Sequence, residues 1–250
     1  MNAKREFLLR MGDTALVLSQ QLGKWCGKGP ALEEDMALTN TALDLLGQAR
    51  LWLSYAGELS SPVRDEDQLA FLRDGREFRN LLLVEQPDDH YSLTLVRQFL
   101  FDAWHFLALK ELLASRDERV AAIAEKSLKE VTYHLRRSGD LIVRLGDGTD
   151  LSRQYMQSAI ESLWPFTGEM FSGDDVDQGL TEARLAFDPA TLREPWATHV
   201  GEIFAEGTLK MPSLDLPMRH GGKSGLHGEH LGYLLTEMQV VQRTYPGAKW

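Results

Sequence analysis

Cysteine is almost missing from this chain. Cys26 stands alone among 250 residues, so no internal disulfide can staple the fold, and the composition fits a reducing cytoplasm. With no local motif to make it a nucleophile, Cys26 is expected to act as a buried small hydrophobe. Long apolar runs are also missing: none approaches the ~18 residues of a spanning helix. In "MNAKREFLLRMGDTALVLSQ" Asp13 interrupts the apolar part and no small-residue cleavage site follows, so this segment reads as mature sequence. Positive charge is scarce, with 27 Lys and Arg against 37 Asp and Glu and a net charge of −10. That balance disfavours nucleic acid as a partner. No G-x-S-x-G elbow, Cys-x-x-Cys pair or dinucleotide fingerprint occurs, and "GGKSG" lacks both P-loop spacing and a preceding strand. The expectation is a soluble cytoplasmic protein that engages neither nucleic acid nor membrane.

What is present is ordinary globular material patterned for helices. Hydrophobic residues make up 43% and charged residues 26%, and a chain this long can bury a full core unaided. Apolar residues recur with a period of 3.6 and no run of strict alternation stands out. The pattern predicts helices over 3–23 and about 33–58, the second carrying the stripe Leu38, Ala42, Leu45, Leu46, Ala49, Leu53 and Ala56. A third is predicted over about 66–86, with a kink or break at Gly75, then others over 90–115 and 117–145. Ser152 is the expected cap of a sixth, which Pro165 interrupts. Shorter helices follow near 175–186 and from "DPATLREP" to Gly207, and a Pro- and Gly-rich linker over 211–225 leads to a last helix over 226–244. Long helices with short loops argue for an up-down bundle. The expected fold is all-α and a single domain over 1–250, with a long-helix bundle over about 3–171 and additional C-terminal helices over about 175–250.

Acidic residues on four successive predicted helices raise the question of a metal. A bundle that houses two irons takes a Glu from each of two helices and a Glu-x-x-His pair from each of the other two. The candidates are Asp44, Glu77 followed by Asn80, Asp102 followed by His105, and Glu130 followed by Tyr133 and His134. The histidines fall in the wrong places. Asn80 offers an amide where imidazole is needed, Tyr133 holds the i+3 position, and His134 lies about 100° further round the helix. The alternative is a buried acid–base network, which demands a partner for every charge. Glu130 and His134 at i,i+4 would then be a hydrogen-bonded pair. The remaining histidines gather in "MRHGGKSGLHGEHLG", at His220, His227 and His230 beside Glu229. This glycine-rich stretch reads as a helix start that docks on a partner, with an anion or a surface metal as the other readings.

The motifs also carry a resemblance. "GDTALVLSQQLGKWCG", "NTALDLLGQARLWLSYAGEL", "FRNLLLVEQP", "FDAWH", "KEVTYHLRRSGDLIVRLGDGTD" and "GGKSGLHGEHLGYLLTEMQVVQR" occur in order along the chain. Together they resemble the C-subunit family of the bacterial phenylacetyl-CoA epoxidase, the ring 1,2-phenylacetyl-CoA monooxygenase. The resemblance implies a ferritin-like bundle that pairs with a related A subunit. That A subunit holds the di-iron centre and forms the ring 1,2-epoxide, a small B subunit bridges the assembly, and a reductase chain delivers electrons from NADPH. The C-type chain itself is implied to be a non-catalytic structural partner without a cofactor. Its metal positions would be degenerate, at Asp44, Glu77, Asn80, Asp102, Glu130 and Tyr133. The resemblance further implies an A–C contact region close to the acyl-CoA. By motif this maps to Glu77, Phe78, Arg79 and Asn80 and to Gln178, Gly179 and Leu180.

Two other readings stay open from the residues alone. One is a self-sufficient di-iron oxygenase using Asp44, Glu77, Asp102, Glu130 and His134. The other is a general helical adaptor, and a homodimer of the isolated chain is also left open.

Overall fold

The computed structural model describes residues 2–248; Met1, Lys249 and Trp250 lie outside the described residues. Nine α-helices and no strand occur among the described residues. In chain order these are α1 (Ala3–Gly23), α2 (Leu32–Glu58), α3 (Glu66–Phe71), α4 (Tyr91–Leu112), α5 (Glu118–Gly146), α6 (Asp150–Leu163), α7 (Asp175–Glu182), α8 (Arg193–Glu206) and α9 (Glu229–Thr244). They fall into two compact units, one formed by residues up to Gln86 together with those from Gly221, the other by Pro87–His220.

In the first unit α1 and α2 form an antiparallel hairpin. Lys4 Nζ at the start of α1 donates to the Tyr55 hydroxyl near the end of α2, and Arg5 Nε donates to Ser60 Oγ at 2.7 Å. The contact is tight enough to need Gly12, where a Cβ would lie 2.7 Å from Leu53 Cδ2. From Glu6 to Ser19 every residue of α1 is buried, whereas α2 buries the stripe through Leu38, Ala42, Leu45, Ala49, Trp52, Leu53 and Ala56. On α2 the expectation of a buried Leu46 is corrected: it is exposed, beside Leu32, Met36 and Leu43.

The third predicted helix is the largest departure from the sequence reading. α3 begins with a capping box between Asp65 and Gln68 but lasts only six residues. The break comes at Leu72, ahead of Gly75, and two short 3-10 turns at Gly75–Glu77 and Leu82–Glu85 replace the rest. Arg73 anchors the chain just past the stop: its buried guanidinium donates to the Leu69 carbonyl and to Asp13 of α1. α9 covers this irregular stretch. Gln239 Nε2 donates to the carbonyls of Ala70 and Arg73, both at 3.0 Å, and Arg243 reaches Arg73 and Asp74. Cys26 is exposed in the α1–α2 turn, not buried. The apolar face of α1 has already ended by Leu22, so the turn carries it out to solvent.

The second unit is built on the α4–α5 hairpin. Asp117 caps α5 by accepting from the N–H groups of Arg119 and Val120. α6 is capped by Thr149 and not by Ser152, which sits three residues in and returns a bond to Thr149 to complete a capping box. A 3-10 turn at Trp164–Phe166 carries Pro165 and ends that helix. Three indoles tie the unit together through buried N–H groups that need acceptors: Trp104 to the Met170 carbonyl, Trp164 to Ser213 and Trp196 to Leu100, at 3.0–3.2 Å. Trp196 also packs at a tilt against Trp164 and Phe171, at 5.5 and 5.0 Å between ring centres. α5 meets the end of α8 at Gly146, where a Cβ would lie 2.2 Å from the Gly207 carbonyl oxygen.

Candidate functional site

Each unit holds a buried polar network, and the two are built differently. In the first unit the carboxylates of α1 are paired with arginines from the irregular stretch after α3. Asp13 is fully buried and accepts from both terminal nitrogens of Arg73 and from the Arg79 N–H. Glu6 accepts from Arg79 Nε at 2.6 Å, and Arg79 Nη1 donates to the carbonyls of Arg76 and Phe78. A third carboxylate, Glu85, accepts from Asn80 Nδ2 at 3.0 Å and from the Gly228 N–H at 2.7 Å, and lies 2.8 Å from His227 Nδ1. Buried charge at this density is tolerable only with such pairing.

In the second unit the network runs across the α4–α5 hairpin. Thr94, Gln98, Asp102 and His105 share one buried face of α4, and Ser127, His134 and Ser138 share one of α5. Asp102 accepts from Gln98 Nε2 at 2.6 Å and from Ser138 Oγ at 2.8 Å. Burial pushes its carboxyl up to about 6, opposed by His134, Ser138, Gln98 and Arg137. Burial also drives His105 down to about 3, and His134 adds to that effect. His105 is therefore a neutral imidazole at neutral pH, packed 4.8 Å from the Phe101 ring.

The residues singled out from sequence are divided between the two units and differ in exposure. Asp44 is half-buried on α2, and Glu77 is exposed on a 3-10 turn instead of lining a long helix. Asn80 is buried, with its amide committed to Glu85 and the Leu81 carbonyl. Glu130 is half-buried and Tyr133 is 60% exposed, whereas the neighbouring His134 is buried. The face of α5 that turns inward thus carries His134 and Ser138, so Tyr133 is not the residue that replaces an inward histidine. These side chains do not fit a di-iron ligand set: Glu77 and Tyr133 point to solvent, and among the described residues no group of three His, Cys, Asp or Glu could hold a metal ion.

For the expected acyl-CoA contacts, Phe78 and Leu180 are buried, Arg79 is bound to Glu6, and Glu77, Gln178 and Gly179 are exposed. Gln178 borders a depression of about 340 Å³ lined by Asp174, Asp175, Asp177, Glu182 and Asp188. Five carboxylates oppose the phosphates of a coenzyme A there. In the glycine-rich stretch His220 is exposed, His230 half-buried, and His227 turned inward to Glu85.

The whole chain, residues 1–250, matches the family described as phenylacetic acid catabolic protein. The chain belongs to that family. Its fold class follows: an all-α, ferritin-like helical bundle with additional C-terminal helices, as the sequence predicted. It is also similar to the C subunit of the 1,2-phenylacetyl-CoA epoxidase of Escherichia coli (strain K12), with 52% identity over 250 residues covering all of both chains. Within this family member, the buried residues that sequence reasoning missed include Glu6, Asp13, Arg73 and Glu85, and Gln98 and Ser138 around Asp102. A signal existed for Asp13, which breaks the apolar pattern of α1 where every neighbour is buried. Glu85 gave none, since its partner His227 is 142 residues away.

Proposed function

We propose that this chain is a structural, non-catalytic member of a cytoplasmic multicomponent oxygenase that epoxidises the ring of phenylacetyl-CoA. The observation that carries this reading is its full-length likeness to the C subunit of the Escherichia coli epoxidase. In this role it keeps a catalytic A-type subunit folded and positioned, alongside a small B-type subunit. The iron belongs to the A-type partner, and a reductase supplies electrons from NADPH. The exposed Glu77 and the half-buried Asp44 and Glu130 favour this reading over the self-sufficient di-iron oxygenase.

The chain's own surface supports a partner-binding role. α2 turns Leu32, Met36, Leu43 and Leu46 to solvent, and the last two border a groove of about 650 Å³ shared with Leu16, Leu53 and Phe71. Apolar area of this kind marks an interaction face, and an obligate partner would cover ~2,000 Å² or more. Of the residues proposed to lie near the acyl-CoA, Glu77 and Gly179 are open to contact, whereas the exposed Gln178 borders carboxylates that oppose the coenzyme A phosphates. Phe78, Asn80 and Leu180 would act by holding the backbone beneath them. The whole chain is proposed to work as one ferritin-like domain in the complex.

Co-expression with an A-type subunit, with iron measured on this chain alone and on the complex, tests the proposal. The expected result is co-purification, iron only in the complex, and loss of phenylacetyl-CoA oxygenation when this chain is omitted. Near-stoichiometric iron on the isolated chain, or an A-type subunit fully active alone, would overturn it.

A further inference from the structure

The glycine-rich stretch before α9 contains a histidine ring with an acceptor at each of its nitrogens. His227 Nδ1 lies 2.8 Å from Glu85 Oε2, and Nε2 lies 3.1 Å from the Phe78 carbonyl oxygen. A neutral imidazole carries one N–H, so it can donate to one of these oxygens and must turn a lone pair toward the other. Only the doubly protonated ring satisfies both. A protonated Glu85 donating to Nδ1 would also relieve the conflict, but the other groups around that carboxyl oppose it. Glu85 receives Asn80 Nδ2 on Oε2 and the Gly228 N–H on Oε1, and donors directed at both oxygens stabilise the carboxylate. Gly228 is moreover the N-terminal cap of α9 and has no side chain to offer. Glu85 takes over that role from a distant part of the chain and sits as an anion at the positive end of the helix.

We infer that His227 is held as an imidazolium that, with Glu85, latches the start of α9 onto the Phe78–Glu85 stretch. This latch is the docking contact of the glycine-rich motif, and its occupant is the chain itself. The backbone is shaped for it. Gly221 and Gly225 adopt φ of +145° and +81°, and a Cβ on Gly225 would lie 2.3 Å from the Arg76 carbonyl oxygen. The side chain of His227 is 6% exposed and that of Glu85 1%, so the pair is shielded from solvent and salt.

Several of the other charged groups on the packed elements are already engaged or lie at the surface. Arg79 is committed to Glu6, and Arg73 to Asp13. Arg76, Glu77 and Glu229 are exposed, and His230 is half-buried on the first turn of α9. A histidine whose charged form is favoured by folding stabilises the fold fully below the unfolded value, about 6.5. That contribution is lost as pH rises through its folded value. The latch is therefore alkali-sensitive.

Long-range proton–nitrogen NMR on the full-length chain, labelled in histidine nitrogens, reads the charge directly. At about pH 7, where a free imidazole is mostly neutral, His227 should give two protonated-type nitrogens, assigned by their loss in His227→Gln. Glu85→Gln should convert the ring to a neutral tautomer at the same pH. It should also speed amide exchange at the start of α9 about tenfold, leaving the α4–α5 hairpin unchanged. One unprotonated-type nitrogen on His227 in the unmodified chain at about pH 7 would overturn the inference, as would an imidazolium that persists in Glu85→Gln.

Discussion

The deepest helix carboxylates of the two units are held in different ways, although the second unit also pairs its buried Arg97 with Asp88. In the first, each deep carboxylate meets a cationic or N–H donor group: Asp13 with Arg73, Glu6 with Arg79, and Glu85 with His227 and the N-terminus of α9. In the second, Asp102 is held directly by an amide and a hydroxyl, and His105, three residues on along α4, is buried without charge. Pairing keeps a buried acid ionised, whereas neutral donors leave burial to push the proton back on. The first unit therefore depends on keeping partners together, and the Asp102 site of the second on acidity near pH 6.

The largest effect should come from breaking a pair in the first unit. Asp13→Ala strands the buried Arg73 guanidinium and should cost about 3–5 kcal/mol, read as a fall in Tm of roughly 10 °C. A change of only a degree or two would mean that Arg73 finds water or another acceptor.

In the second unit two substitutions should tilt the acid limb of the stability curve in opposite directions. His105 stays neutral in the fold down to about 3, while the unfolded chain takes up that proton below about 6.5. Stability therefore falls on acidification across that window by roughly 1.4 kcal/mol per pH unit. His105→Leu should flatten this slope. Asp102 works the other way: its folded carboxyl titrates at about 6, so it adds stability as pH drops from about 6 toward 4. Asp102→Asn should steepen the acid loss there, while its amide keeps hydrogen-bond partners in Gln98 and Ser138. Urea unfolding of the three chains across pH checks both signs, and parallel curves would remove the contrast between the units.

The smallest effect belongs to Tyr133. Exposed beside the buried His134, it should tolerate Tyr133→Ala within about 0.5 kcal/mol in the isolated chain, measured by the same titration.

How much of this could be read from the sequence depends on how far apart the partners lie. The long helices α1, α2, α4 and α5 were legible because their signals are local: apolar spacing, a cap such as Asp117, a loop at Gly23. The third helix ends at Leu72, well short of its predicted span to about 86, and the residue that follows, Arg73, is bonded to Asp13, 60 positions away. On α5, an ideal Glu-x-x-His motif starting at Glu130 would put its histidine at Tyr133. The fold instead turns His134 and Ser138 inward, with Val131 and Ser127 completing the stripe. The pairs Asp13–Arg73 and Glu85–His227 join residues 60 and 142 positions apart, and no local pattern encodes such a meeting.

The order of synthesis gives the discontinuous first unit a particular history. Residues 87–220 are continuous and can close on themselves once translated, but the first unit needs the stretch from Gly221 onward. At about 5–20 residues per second, the ribosome spends on the order of ten seconds between Gln86 and Gly221. During that interval the Ala70 and Arg73 carbonyls lack Gln239, and Glu85 lacks both His227 and the Gly228 N–H. The nascent chain thus carries an unfinished N-terminal part while its middle matures.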